Sequence, residues 1–295
     1  MRVTVVQTGH VPEDPDAAWA ALEGALVAHA ADTDVVVFPE LATTPYFGCT
    51  GDDRYRGWAE PVSGPRVARV ARLAGGLGVG VVFGFYEQGE DGVLYNSAVV
   101  IERDGTVVTG TGHDGTARTA YRKSSIPQGL VGASPVDEKQ FFEPGDGVVV
   151  FEAFGTRAAV LICYDRTFPE YWLAARAAGA ELVFVLVSSM GFRESLFVQE
   201  LQVRALETQV WVVAANRAGV EEIAGTSTDY FGLSVIVAPD ARVVAQAPAH
   251  EADRTIEADL DLAEVAATRA SFPLGRDRRP AMFEYLARQM QEPSA

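Results

Sequence analysis

Short apolar runs alternate with longer stretches of helical period along most of the chain. Residues 3–6 and 35–38 read as buried strands, and between them Trp19, Leu22 and Leu26 recur on one helical face. A strand, a helix and a strand in that order predict a parallel pair joined by a crossover. A helix over Pro65–Leu77 leads into a strand over residues 79–85. Residues 97–102 and 106–109 flank Asp104-Gly105 as the two arms of a hairpin. From 110 to 147 the periodicity dissolves into Gly, Ser, Pro and charge, the mark of a long functional or disordered segment. Regularity returns with strands at 148–151 and 158–162, a helix at 169–178, a strand over Leu182–Val187, a helix at 194–207 and a strand at 211–215. Three further strands, at 233–238, 242–247 and 255–259, precede the C-terminal segment.

Strands such as Leu182–Val187, apolar at every position, suit a sheet covered on both faces. The pattern supports an α/β fold with helices over a mixed sheet and does not count the sheets. With no fixed-period repeat and no low-complexity linker, one domain over residues 1–295 is the simplest organisation.

Composition narrows the function classes. The 295 residues are 48% hydrophobic, enough for a large core. A net charge of -16, from 40 acidic and 24 basic residues, argues against nucleic acid and anionic membranes as partners. Two cysteines, Cys49 and Cys163, make no disulfide framework and fit a reducing cytoplasm. The first residues carry no signal-like apolar stretch, and no apolar run reaches the ~20 residues of a membrane helix. The expectation is a soluble, cytoplasmic protein. His10, His29, His113 and His250 form no ligand-like spacing with Cys or carboxylates, so neither a metal nor a cofactor is expected.

Three places carry candidate chemistry. In the run Leu161-Ile162-Cys163-Tyr164-Asp165-Arg166-Thr167-Phe168-Pro169 a buried strand stops at Cys163, a polar turn follows, and a helix begins. Such a junction projects a nucleophile beside unpaired backbone N–H groups that can hold an oxyanion. Taken alone, Cys163 reads more readily as a buried structural thiol. In Phe38-Pro39-Glu40 a carboxylate stands at the mouth of an apolar strand, where α/β proteins place ligands, or simply caps a turn. Lys123, in Tyr121-Arg122-Lys123, lies in the irregular segment, where a lysine is usually solvated.

Together, Phe-Pro-Glu ending an early strand, Tyr-Arg-Lys with Ile126-Pro127 after it, and Ile-Cys-Tyr-Asp-x-x-Phe-Pro-Glu past mid-chain resemble the nitrilase superfamily of carbon–nitrogen hydrolases. Further matches are Glu138-Lys139 before Phe141-Phe142-Glu143-Pro144-Gly145-Asp146, then Ala214-Ala215-Asn216-Arg217 and Arg276-Asp277-Arg278-Arg279-Pro280. The resemblance spans the chain. It implies a four-layer αββα sandwich and a homodimer or larger homo-oligomer, with residues 262–295 contributing to the contacts. It also implies a catalytic set: Cys163 as nucleophile, Glu40 as general base and acid, Lys123 as oxyanion partner, and Glu138 supporting the lysine and positioning substrate. Many relatives carry His where Ser125 stands, which bears on substrate preference.

The chemistry suits these groups. A thiol of pKa near ~8.5 needs help to attack an amide or carbamoyl carbon. Glu40 can take its proton and later return it to the leaving nitrogen. Lys123 favours the thiolate and then the oxyanion, with the Tyr164 N–H as a second donor. Tyr164-Asp165 after the cysteine resembles amidases and N-carbamoyl amidohydrolases, whereas nitrile hydrolases tend to carry Trp-Glu there. In N-carbamoyl amino acid hydrolases, an arginine at the position of Arg166 helps bind the substrate carboxylate. An ion pair from Arg166 to Glu170 is the structural alternative. Ser188, Ser189, Phe192 and Asn216, each shortly after a strand, are expected to line or shape the pocket. The reading is an N-carbamoyl amino acid or N-carbamoyl-β-alanine amidohydrolase acting through a covalent acyl or carbamoyl enzyme. An aliphatic or ω-amidase, a nitrilase, and a non-catalytic scaffold of the same fold stand as alternatives.

Overall fold

The computed structural model describes residues 1–90, 92–131 and 134–291. Its strands form two large mixed sheets. One runs in spatial order Arg254–Asp259, Arg2–Gln7, Val35–Val37, Gly80–Gln88, Leu94–Ile101, Tyr121–Arg122. The other runs Val243–Gln246, Val235–Val237, Trp211–Asn216, Leu182–Val187, Thr156–Ile162, Val149–Ala153, Gly110–Gly112, Ala117–Arg118. The expected parallel crossover is present, with Val3 opposite Val35 and Val5 opposite Val37. A second parallel set joins Thr156–Ile162, Leu182–Val187 and Trp211–Asn216.

Alternation along the first sheet decides the layering, because successive side chains point to opposite faces. Val3, Val5, Val35, Val37, Val82 and Val100 share one buried cluster with the second sheet. Val6, Val36, Val81, Phe83 and Val99 share another with Trp19, Leu22, Leu26, Val67 and Val70 of the helices Pro15–His29 and Pro65–Leu77. On the far side, Trp172 and Ala175 of Pro169–Ala177 and Phe197 and Leu201 of Glu194–Thr208 cover the second sheet. The result is a four-layer αββα sandwich. The first helix starts where Asp14 accepts from the Ala17 amide with Pro15 following, and the second stops at Gly78, whose φ of 70° suits glycine.

Three expectations change. Residues 106–109 form no strand: Val107 makes one bridge to Ile101 and the Val108 amide donates to the Val100 carbonyl. The chain then leaves for the other sheet, where Gly110–Gly112 pairs with Val149 and Val150. The segment 110–147 holds several strands of two to four residues and a 3-10 turn over Glu138–Gln140, too short to give a periodic signal. A hairpin of Ala218–Ile223 with Thr226–Phe231 went unread, its glycine and charges masking the alternation. At the C-terminal end, the helix Pro280–Gln291 leaves Met282, Phe283, Tyr285, Leu286 and Met290 exposed. Among the described residues, no helix is long and apolar enough to cross a membrane.

Candidate active site

Where the two sheets meet, the ends of Val35–Val37, Tyr121–Arg122 and Thr156–Ile162 bring Glu40, Lys123 and Cys163 together, and the turn at Glu138–Gln140 adds Glu138. The chain turns sharply after Phe38, and this turn lies on the neighbouring strand. A Cβ at Gly84 would come within 2.8 Å of the Glu40 Cα and 2.7 Å of the Leu41 nitrogen, so only glycine fits there. Arg217, fully buried, ties the same turn from the other sheet by donating from Nη2 to the carbonyls of Glu40, Leu41 and Thr44 at 3.3, 2.6 and 2.7 Å.

Lys123 is fully buried and donates from Nζ to Glu40 Oε1 at 2.8 Å and to both oxygens of Glu138 at 2.9 and 2.7 Å. Burial alone would pull its proton off, but the Glu138 and Glu40 carboxylates outweigh burial and raise its pKa. Glu138 also accepts from the Tyr46 hydroxyl. Burial is the main influence on Glu138 and, against the pull of Lys123, lifts it to about 7. Glu40 accepts at Oε1 from Asn96 Nδ2 at 2.8 Å as well, while its buried Oε2 has no partner.

Cys163 begins a 3-10 turn, Cys163–Thr167, with φ at 45°, a left-handed conformation that costs about 1–3 kcal/mol in a non-glycine residue and recurs at reactive sites. The turn is held by Asp165, whose Oδ2 accepts from the Ile162 amide at 3.2 Å and the Tyr121 hydroxyl at 2.6 Å. Its Oδ1 accepts from the Ser124 and Ser125 amides at 3.2 and 2.7 Å. One buried carboxylate thus locks the cysteine turn to the loop carrying Lys123. The first amides of such a turn, the Tyr164 N–H among them, have no partner within it. Burial pushes the Cys163 thiol up to about 11. The Glu40 charge adds to this and Lys123 and Arg166 oppose it, so the resting sulfur is a thiol at neutral pH. The expectation that Lys123 favours the thiolate is right in sign and outweighed in sum.

A cavity of about 310 Å³ opens onto Cys163 and Glu138, with Glu40 and Lys123 buried behind them. Tyr46, Glu138, Cys163, Tyr164, Arg166, Ser188, Ser189 and Phe192 line it, with Leu130, Val136 and Met190 giving apolar wall. Ser189 Oγ lies 3.7 Å from the Cys163 sulfur, and Ser188 Oγ donates to the Glu40 carbonyl at 3.2 Å. Phe192 is 69% exposed, a rim residue rather than an inner wall. Asn216 does not reach the cavity: its Oδ1 accepts from the Ser189 amide at 2.9 Å and its Nδ2 donates to the Gly232 carbonyl at 2.7 Å. With both polar ends used inside the protein, Asn216 does not touch the cavity itself and can shape it only by holding the Ser189 amide. Ser125 turns its hydroxyl to the Tyr171 hydroxyl at 2.9 Å.

Arg166 is buried and does not pair with Glu170. Its Nη1 donates to the Cys163 carbonyl at 2.8 Å, its Nε lies 3.4 Å from Glu200 Oε2, and its guanidinium carbon lies 5.0 Å from the Phe197 ring centre. Its Nη2 is buried without a hydrogen-bond partner. Glu200 also meets Arg193, a second cation on the cavity wall, at 3.2 Å. Tyr46, Asn96 and the brace formed by Arg217 were invisible as site residues in the sequence, because only tertiary placement brings them here. No group of three or more His, Cys, Asp or Glu among the described residues is placed to hold a metal ion.

Known proteins resemble the chain in sequence and in fold. A family model described as carbon–nitrogen hydrolase matches residues 2–270. Over 272 residues the chain is 31% identical to an N-carbamoylputrescine amidase of Arabidopsis thaliana, covering 88% of this chain and 86% of the relative. It is 29% identical over 255 residues to an omega-amidase of Xenopus tropicalis, covering 84% of each. Among solved structures, a carbon–nitrogen hydrolase from Helicobacter pylori superimposes with a TM-score of 0.82 at 23% identity, covering 97% of this chain and 98% of that one.

Proposed function

This chain belongs to the carbon–nitrogen hydrolase family, a hydrolase of amides or carbamoyl compounds, and we propose that its substrates are N-carbamoyl amino acids, α or β. The observation that carries the choice is the buried, unpartnered Nη2 of Arg166 on the cavity wall, with Arg193 beside it. A guanidinium fork matches a carboxylate. The acidic residue lining the same cavity, Glu138, already receives Lys123 and Tyr46, which leaves little to receive an amine.

In this reading the Cys163 sulfur attacks the carbamoyl carbon while the free Oε2 of Glu40 takes its proton. Lys123 and the Tyr164 N–H receive the oxyanion. As the tetrahedral adduct collapses, Glu40 returns the proton to the leaving nitrogen and a carbamoyl or acyl group remains on sulfur. Water then enters and gives a proton to Glu40 as its oxygen attacks the carbonyl carbon, the carbon–sulfur bond breaks, and Glu40 returns the proton to the departing sulfur. Glu138 keeps Lys123 charged and in place. The apolar residues exposed on Pro280–Gln291 support assembly into a homodimer or larger homo-oligomer through the C-terminal segment.

The test is an ammonia-release assay comparing N-carbamoyl amino acids with N-alkyl ureas, N-carbamoyl amines, ω-amides and nitriles. Preference for the carboxylate-bearing carbamoyl compounds supports the proposal, and equal or better turnover of neutral or amine-bearing ones overturns it. Mass spectrometry of the trapped Cys163 peptide names the group transferred.

A further inference from the structure

Glu40 is held by two donors at a single oxygen. Lys123 Nζ and Asn96 Nδ2 both meet Oε1 at 2.8 Å, and Oε2 is left buried and empty-handed. The chain reaches this arrangement through one strand residue. Asn96 lies in Leu94–Ile101, opposite Tyr86 of Gly80–Gln88 and fully buried, and its backbone carbonyl accepts from the Lys123 amide at 2.8 Å. Its side chain thus anchors the carboxylate while its main chain anchors the lysine. Its own Oδ1 is buried without a partner, so the amide makes one side-chain hydrogen bond, the one to Glu40. A buried amide left half-satisfied costs stability. An apolar residue would fill the strand more cheaply, and the arrangement makes sense through what it does to Glu40.

We infer that Asn96 is a positioning residue for the reaction, acting through Glu40. It fixes Oε1 as the anchored oxygen so that Oε2 alone is offered to the thiol proton and to water. Lys123 alone would leave the carboxylate free to turn about its single ionic contact and to share both oxygens with the ammonium. The inference rests on the hydrolase reading for its catalytic consequence, and on geometry alone for its effect on Glu40.

Two variants test it. Asn96→Leu keeps the volume and removes the donor. Asn96→Asp keeps the shape and makes the donor depend on pH, because only the protonated acid can donate to Oε1. In Asn96→Leu, kcat is expected to fall roughly 10- to 100-fold with KM within about twofold, the size of a charge-assisted hydrogen bond expressed as rate. In Asn96→Asp, activity persists at acid pH and collapses as the new carboxyl ionises against Glu40, so the alkaline limb moves to lower pH. Iodoacetamide labelling of Cys163 across pH reads the ionisation of the new carboxyl in Asn96→Asp without any substrate. If wild-type protein releases no ammonia, the hydrolase reading fails, and a shifted labelling profile in Asn96→Asp still upholds the role of Asn96. A folded Asn96→Leu with wild-type kcat and a folded Asn96→Asp with the wild-type pH profile in both assays overturn it, even if their melting temperatures drop. Should Asn96→Leu not fold, the Asn96→Asp profile decides.

Discussion

Arg166 grips Cys163 from its own turn: Nη1 donates to the Cys163 carbonyl at 2.8 Å and stands 3.9 Å from the sulfur. The cation that would recognise a substrate carboxylate is therefore built into the support of the nucleophile. Arg166→Ala should lower kcat/KM for every substrate by disturbing the turn. The loss should be roughly tenfold larger for N-carbamoyl amino acids than for a neutral alkyl urea, as expected for one hydrogen bond to a charge. Arg166→Lys should recover the neutral substrate better than the charged one, since a single ammonium cannot serve both the carbonyl and a carboxylate. Equal losses on both substrates would assign Arg166 to the turn alone.

Glu40 has opposite effects on two measurable reactivities. As the base it is needed for amide attack, so Glu40→Gln should cut ammonia release roughly 100- to 10,000-fold. Its charge also helps hold the Cys163 thiol up at about 11. Removing that charge leaves Lys123 and Arg166 to draw the thiol down, so iodoacetamide should label Cys163 faster at neutral pH in Glu40→Gln than in wild type. Slower labelling would mean that Glu40 acts on the resting thiol as a base and not chiefly as a repelling charge.

Stability should fall between about pH 4 and 7 through two buried carboxyls. Burial raises Asp165 to about 6 and Glu138 to about 7. Both exceed their values in an unfolded chain, so the folded state holds more protons across that window. Unfolding free energy then declines as pH rises through it, the reverse of a carboxylate stabilised by a salt bridge. Urea midpoints measured from pH 4 to 8 should show this decline. Asp165→Asn should flatten the part below about pH 6 while lowering the midpoint overall, since Asn offers one acceptor oxygen where the carboxylate offers two. A slope unchanged by Asp165→Asn would remove Asp165 from the account.

The C-terminal helix offers a test of assembly. Phe283→Asp with Leu286→Asp places charge on its exposed apolar face. Light scattering at a fixed concentration should find the wild-type protein larger than a monomer and the double variant smaller, with the far-ultraviolet dichroism of the sandwich retained. An unchanged mass would remove this helix face from the proposed assembly.

Much of the site was legible because the chemistry sits in short local words. Phe-Pro-Glu, Tyr-Arg-Lys and Ile-Cys-Tyr-Asp each join a strand end to a polar turn, and the structure brings Glu40, Lys123 and Cys163 within one cluster, with Glu138 completing it. The strands that carry them were equally legible, being β-branched and apolar throughout. What escaped was relational. Asn96 looks like an ordinary strand residue until Glu40 arrives from 56 positions away. Arg217 is one arginine among many until its carbonyl partners fold over it. The role of Asn216 was legible only as a choice between lining and shaping the pocket, since its position after a strand does not say which way its amide is used. The two- to four-residue strands between 110 and 147 left no periodic trace, because a strand that short has no room to alternate.

The reacting groups are divided between the two halves of the sandwich. Glu40 and Lys123 leave the six-stranded sheet, and Cys163, Ser188 and Ser189 leave the eight-stranded one. The spacing from sulfur to base is therefore a thickness, set by how the valines and Ala98 between the sheets fill the seam. A methyl group added or removed deep in that seam would open or close the gap like a shim under a bearing. Turnover in this protein should thus respond to buried hydrocarbon that never touches a substrate.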